Sequence, residues 1–502
     1  MSARKIIPHS QKSAVAIGAP LSLIFTVIVT LAFTSEPPAF AAGIVGNGTP
    51  GSCTEAALNS ALVGGGNIYF NCGPTLHTIP VTSEKVISTT TVIDGSGLIT
   101  LSGGGQTRIF FTQPNVEFVV KNLTLADGFT TDQGGAIFNG FRGKLQIINS
   151  NFNNNISTKE GKFDGGGAIY SQSESTVMIE QSTFTGNKAG NGGAINNLLS
   201  DLTIINSTFT GNQSVRSGTG GGGGAIYIDG GNGSSGKILI RGSTFMNNTA
   251  VLQGGAIFSN LYNNNTNTIE YSTFSGNSVT GTENQGFGGA IYNIGNVPNT
   301  LLTVANTTIA GNTATNQGAG IWSGNNSTVN IVNSTIFGNQ AVSLDGKSGL
   351  GGGIMRTGGT INITNSTIAS NYAGFQGGGM VGGSAITITN VILANNVANN
   401  GGKNWNIKNN CASPMTSGGN NIQFPARNLN DPNDADCAAG IITVDPLLGL
   451  LANNGGSTQT LAPLPGSPAI NTGNNTPCPA IDQRGVARPQ GGICDIGAVE
   501  VQ

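Results

Sequence analysis

Gly192-Gly193-Ala194-Ile195, then Leu202-Thr203-Ile204, then Asn206-Ser207-Thr208-Phe209-Thr210-Gly211-Asn212, is one turn of a pattern that repeats along the middle of this chain. The glycine word closed by an aliphatic residue occurs nine times between residues 134 and 380, for example at Gly134-Gly135-Ala136-Ile137 and Gly254-Gly255-Ala256-Ile257. The second word recurs as Ser334-Thr335-Ile336-Phe337-Gly338-Asn339. Its apolar residue serves as a ruler: Leu125, Phe152, Phe184, Phe209, Phe245, Phe274, Ile309, Ile336, Ile368 and Leu393, at steps of 25 to 36 residues. A fixed word at such a period means stacked repeats. Leucine-rich and helical repeats are excluded, because the Leu-rich consensus and the helix formers are both missing, and Gly, Asn, Ser and Thr are poor in helix interiors.

Each turn reads as three short strands: Ala194-Ile195, Leu202 to Ile204 with alternate residues on one face, and Thr208-Phe209 after a bend at Asn206. Stacked in parallel, such turns make an all-β, right-handed parallel β-helix. Asn recurs at the bend (Asn122, Asn149, Asn206, Asn306, Asn333, Asn365, Asn390) and three residues after the ruler (Asn187, Asn212, Asn277, Asn312, Asn339, Asn371, Asn396). Asn tolerates left-handed backbone, and stacked identical amides bond one another. A buried ladder is therefore expected at both positions, rather than glycan acceptors at the sequons of Asn206, Asn333 and Asn365.

From ruler to next glycine word the counts run 12, 17, 11, 17, 12, 17, 12, 18, 12, so alternate coils carry a longer loop. Tyr170, Tyr227 and Tyr292 follow the glycine word on long-loop coils, with Met355 in the last. The three tyrosines read as packing, each beneath its own long loop; a ligand-stacking row for sugar rings is the alternative.

Arg4, Lys5 and Lys12 precede a largely apolar run from Ala14 to Phe33, and Ala39-Phe40-Ala41 offers a processing site. Residues 1–41 are read as a secretory signal peptide. An uncleaved anchor is the alternative, disfavoured by Pro20 and the Ala-x-Ala word. Cleavage leaves a net charge of −4, with Lys and Arg scattered, which excludes nucleic acid as a partner. Six cysteines lie outside the array, and with an export signal they imply disulfides. The sequence-local pairing Cys53–Cys72, Cys411–Cys437 and Cys478–Cys494 is expected among 15 possibilities.

Residues 42–402 are assigned to the β-helix, with core repeats over about 122–396. Cys53 to Leu62 reads as an N-terminal cap helix with Thr54 as N-cap and Gly64 to Gly66 as its stop. Residues 403–502 form a small disulfide-containing C-terminal cap domain, in which Asp482, Arg484, Arg488, Asp495 and Glu500 read as a structural network.

Gly-Gly-Ala-Ile alternating with Phe-x-x-Asn resembles the repeats of the polymorphic membrane proteins, surface adhesins of the autotransporter type. The tail resembles the choice-of-anchor Q module at Asp445-Pro446-Leu447-Leu448, Pro465-Gly466-Ser467-Pro468-Ala469-Ile470, Asp482-Gln483-Arg484-Gly485 and Cys494-Asp495-Ile496-Gly497-Ala498. The opening, with Ile93-Asp94-Gly95 and Arg108-Ile109-Phe110, resembles pectate-lyase-like β-helices. These resemblances imply a secreted or cell-surface adhesive or structural protein. The alternative is a polysaccharide lyase or glycoside hydrolase with an atypical site. Acids in the array are few (Asp127, Asp132, Asp164, Glu174, Glu180, Asp201, Asp229, Glu270, Glu283, Asp345), and no two are expected at the same phase of adjacent coils. Past residue 41 the only histidine is His77. No catalytic, cofactor-binding or metal residue is assigned; the expected state is monomeric, and the expected partner an extracellular polysaccharide or a host or neighbouring cell surface.

Secreted material should begin near Ala42 by intact mass and contain no alkylatable thiol. Six reactive cysteines, or retention in the cytoplasm, would refute export.

Overall fold

A computed structural model describes residues 43–216, 221–281 and 285–501; the signal segment, Gly220 and Glu283 lie outside them. The chain is a parallel β-solenoid, and the strand pairings between successive coils are parallel, as in Leu202 against Val177 on one side and Ile238 on the other, with one register shift between Asp94 and Ile99.

From Ile137 to Ala398 each coil has four strand segments, not three. In the coil quoted above they are Ile195–Leu198, Asp201–Ile205, Thr208–Thr210 and Gln213–Ser214. The first belongs to an 11-stranded sheet, the last to a 10-stranded sheet, and the middle two share a 26-stranded sheet. They share it because the bend at Asn206 is a kink in one long strand; in the early coils Thr91–Ser102 and Glu117–Ala126 run through that corner unbroken. The fourth segment holds pairs such as Lys188–Ala189 and Thr249–Ala250, too short and too polar to carry a periodic signal.

The ruler residues fill the interior. Phe152, Phe184, Phe209, Phe245 and Phe274 stack with centroids 4.7 to 4.8 Å apart and interplanar angles of 6° or less. All five are fully buried, and Ile309, Ile336, Ile368 and Leu393 continue the column. The spacing is that of the strands themselves, so aromatic stacking and backbone pairing are satisfied by one geometry.

Beside this column runs an amide ladder through Asn155, Asn187, Asn212, Asn248, Asn277, Asn312, Asn339, Asn371, Asn396 and Asn410. Each Nδ2 donates to the next Oδ1 at 2.9 to 3.0 Å. In the central rungs, Nδ2 also donates to the ruler carbonyl of the previous coil, and Oδ1 also accepts the backbone N–H of the preceding Asn. All four bonding positions of the side chain are thereby used. A second ladder takes Ser150, Ser182, Ser207, Ser243, Ser272, Thr307, Ser334 and Ser366: each backbone N–H donates into the next coil's hydroxyl.

The bend asparagines do adopt left-handed backbone, with φ of 45° to 54°. Their side chains are not one buried ladder. Asn149 donates to Asn122 and Asn390 to Asn365, but Asn149 and Asn206 are exposed. The first glycine of each word also has positive φ, such as +57° at Gly192. The second allows close approach: a Cβ on Gly193 would meet the Gly224 carbonyl oxygen at 2.2 Å.

Helix Glu55–Leu62 closes one end, with the Thr54 hydroxyl accepting from the Ala57 N–H and Leu58 buried on the core. The three cysteine pairs are disulfide-bonded in the local pattern. Residues 403–444 continue the large sheet through Thr416–Ser417, Ile422–Phe424 and Ile442–Thr443. Residues 445–501 then fold back as a brace along the last coils. Thr308 donates to the Gln459 carbonyl, Thr335 to Gln483 Oε1, Asn333 to the Ile481 carbonyl and Asn365 to the Asp495 carbonyl. That brace is what buries the later bend asparagines.

Phe209→Ala should destabilise the solenoid by roughly 3–5 kcal/mol. Asn212→Leu should cost a similar amount, since it orphans donors on Asn187 and acceptors on Phe184 and Asn248 at about 1–3 kcal/mol each. Thr210→Ala, on the outer face, should be near neutral. Denaturant unfolding of the three variants checks the order.

Candidate functional site on the loop-bearing face

The outward residues of the 11-stranded sheet form one column: Phe111, Phe138, Tyr170, Asn196, Tyr227, Phe258, Tyr292, Trp322 and Met355. The tyrosines are aligned as the loop pattern implies, but they are not displayed. Tyr170, Tyr227 and Tyr292 are 3%, 2% and 7% exposed. Tyr170 stacks on Phe138, Tyr227 on Phe258, and Tyr292 on both Phe258 and Trp322, at 4.5 to 5.4 Å. Asn196 interrupts the run between Tyr170 and Tyr227. The long loops fold over the column; the Tyr227 hydroxyl donates to the Lys162 carbonyl at 3.5 Å and the Arg216 guanidinium to the Gly161 carbonyl at 2.7 Å. An exposed sugar-stacking row is therefore corrected to a second, external aromatic core that holds the loops down. Burial raises the phenol pKa of all three tyrosines well above the usual range.

At the N-terminal end of this face lies a charged cluster. Arg108 is buried against Phe111 and Phe138, at 5.8 and 5.4 Å from their ring centres, and pairs with Glu84 and Asp132. Lys159 lies 2.7 Å from Asp132 and 3.9 Å from Asp164. Asp132 and Asp164 both stand two residues before the left-handed glycine of successive words, Gly134 and Gly166. Two array acids do share a phase, against the sequence expectation; the longer loop ahead of the second one had hidden the match. Burial pulls the Asp132 carboxyl upward, but the hydrogen bond and charge of Lys159, with Arg108 behind, outweigh it and hold the group below its ordinary range.

Other acids are placed structurally. Arg142 pairs with Glu174 and Arg241 with Glu270 across adjacent coils. Asp229 is buried and accepts from Tyr262 and Asn260 at 2.7 Å; burial outweighs these bonds and raises its pKa. His77 contacts the Cys53 carbonyl through Nε2 at 3.0 Å. In the brace, Arg488 pairs with Glu500 and Arg484 with Asp482, both acids fully buried. Among the described residues no three His, Cys, Asp or Glu side chains converge as a metal site.

The fold and this face define a capped parallel β-solenoid whose one side is built up by loops. Residues 181–198, 206–229, 242–260 and 271–294 match the Chlamydia polymorphic membrane protein repeat, so the chain carries repeats of that type. No curated protein sequence matches it significantly. Among solved structures, it is similar to the A-module of a mannuronan C-5 epimerase (AlgE6) from Azotobacter vinelandii. The identity is 13%, with 82% of this chain and 98% of that one covered, and the TM-score is 0.21, too low to carry an argument.

In alkaline spectrophotometric titration, Tyr170, Tyr227 and Tyr292 should ionise only as the protein unfolds. Reversible ionisation of these three without loss of structure would show an open row.

Proposed function

We propose that this chain is an exported, non-catalytic adhesive or structural module, secreted or displayed at a cell surface. The repeat match supports a surface protein. The observation that carries the reading is the outer face of the large sheet. Over the coils from Leu301 to Thr387 it presents Leu301, Thr303, Thr328, Asn330, Thr360, Asn362 and Thr387, with no charge, on a frame tied coil to coil by two side-chain ladders. A stiff, neutral, regularly spaced surface suits repeated weak polar contacts with an extended partner, where preorganisation reduces the entropy lost on binding. Three disulfides fit an oxidising compartment.

One observation favours the rival reading, a polysaccharide-active enzyme: the same-phase pair Asp132 and Asp164 bridged by Lys159. Glycoside hydrolysis uses two carboxyl groups about 5–9.5 Å apart, one kept protonated as the acid. Asp132 fits that acid role poorly, because its ion pair favours the charged form.

The purified mature chain should not turn over pectin, polygalacturonate, alginate or neutral glycans, with or without calcium. Turnover abolished by Asp132→Asn or Asp164→Asn would replace the adhesive reading by the enzymatic one.

A further inference from the structure

Three successive coils bring their loops together at the C-terminal end of the solenoid. The turn Ser343–Ser348 is closed by the Ser343 N–H donating to the Ser348 carbonyl. Asn399 reaches back to the Gly346 carbonyl, and the Gly401 and Asn400 N–H groups donate to the carbonyls of Gly374 and Phe375. Asn400 Nδ2 in turn holds the Trp405 carbonyl. The side chains left on this edge are unlike those of the rest of the surface. Leu344 is 91% and Trp405 55% exposed, with Phe375 partly so. The Lys403 ammonium sits 5.3 Å from the centre of the Trp405 ring. Among the described residues, Lys347, Lys403 and Lys408 have no carboxylate within ion-pairing distance. The acids nearby are engaged: Asp345 accepts from the Ser343 hydroxyl and the Lys347 N–H, and Asp431 from the Ile407 N–H.

Backbone hydrogen bonds fix the loops Ser343–Ser348 and Asn399–Gly402 that carry this edge. An exposed indole beside ammonium groups that form no ion pair favours a ligand with flat faces and negative charge. We propose that this edge binds an acidic polysaccharide, with Trp405 against a sugar ring and Lys347 and Lys403 on carboxylate groups. The inference rests on the contact-module reading above and names its ligand class. A lipid surface fits less well. Insertion needs a continuous apolar face, whereas Leu344, Phe375 and Trp405 are separated by Asp345, Gly374, Asn399 and Asn404.

The test uses the full mature protein with polygalacturonate and alginate as probes, dextran as the neutral polymer, and vesicles of phosphatidylcholine with phosphatidylserine. Binding to the two polyuronates is expected, weakening as salt rises, with none to dextran or vesicles. Trp405→Ala and the double variant Lys347→Glu, Lys403→Glu should each raise Kd by on the order of tenfold, as expected for anchor residues. Their thermal midpoints should match the parent. With only Trp322 and Trp405 in the chain, a polyuronate-induced fluorescence change that vanishes in Trp405→Phe would locate the contact. Polyuronate binding unaltered in these variants, vesicle binding in its place, or no binding by the parent chain would overturn the proposal. Turnover of the polymer would instead overturn the contact-module reading while leaving the site's affinity as measured.

Discussion

The buried asparagine ladder is the constraint on which this structure rests. A narrow solenoid interior enclosed by three sheets keeps the polar atoms of its turns away from bulk water, and each unsatisfied one costs about 1–3 kcal/mol. The ladder answers this by making every amide the partner of the next, from Asn155 to Asn410. It works only if successive coils keep one register, because a shift by one residue would put a neighbouring side chain where the amide must be. The glycine words and the serine ladder are subordinate to it. The glycines let the coils approach to backbone contact, and the serines repeat the same hand-to-hand bonding at the next corner.

Much of this was legible from the residues. Phe, Gly-Gly and Asn at fixed offsets specify stack, close approach and ladder, and each is a short-range pattern with a single physical meaning. What stayed hidden was of two kinds. Two-residue strands such as Gln213–Ser214 carry no periodicity. Contacts made by distant segments also leave little local trace: Asp132 with Lys159 and Asp164, or the brace over Asn333 and Asn365. One trace of the brace does exist. The residue after the ruler varies on open coils (Ala126, Asn153, Thr185, Thr210, Met246, Ser275) and is apolar throughout beneath the brace (Ala310, Phe337, Ala369, Ala394), where Ala369 and Ala394 pack with Leu461, Ala469 and Ile496. The tyrosine row shows the limit of position alone, since position in a strand says which face a residue takes and not whether a loop covers that face.

The brace and the external aromatic column divide the surface between them. One covers the corner of the later coils, the other anchors the long loops, and both remove apolar area from water. What remains open is the neutral sheet face and the loop edge around Trp405, and the functional readings concern those two regions.

Alternation of loop length has a genealogical consequence. Long-loop coils bear Tyr170, Tyr227 and Tyr292, while short-loop coils bear Phe138, Asn196, Phe258 and Trp322. Loss of a single coil would set two long loops on adjacent levels and place tyrosine over tyrosine without room for either loop. Loss or gain of two coils would leave every stack and ladder rung in phase. The heritable unit by which such a rod can lengthen is therefore a pair of coils, 57 residues from Phe152 to Phe209 and 65 from Phe209 to Phe274.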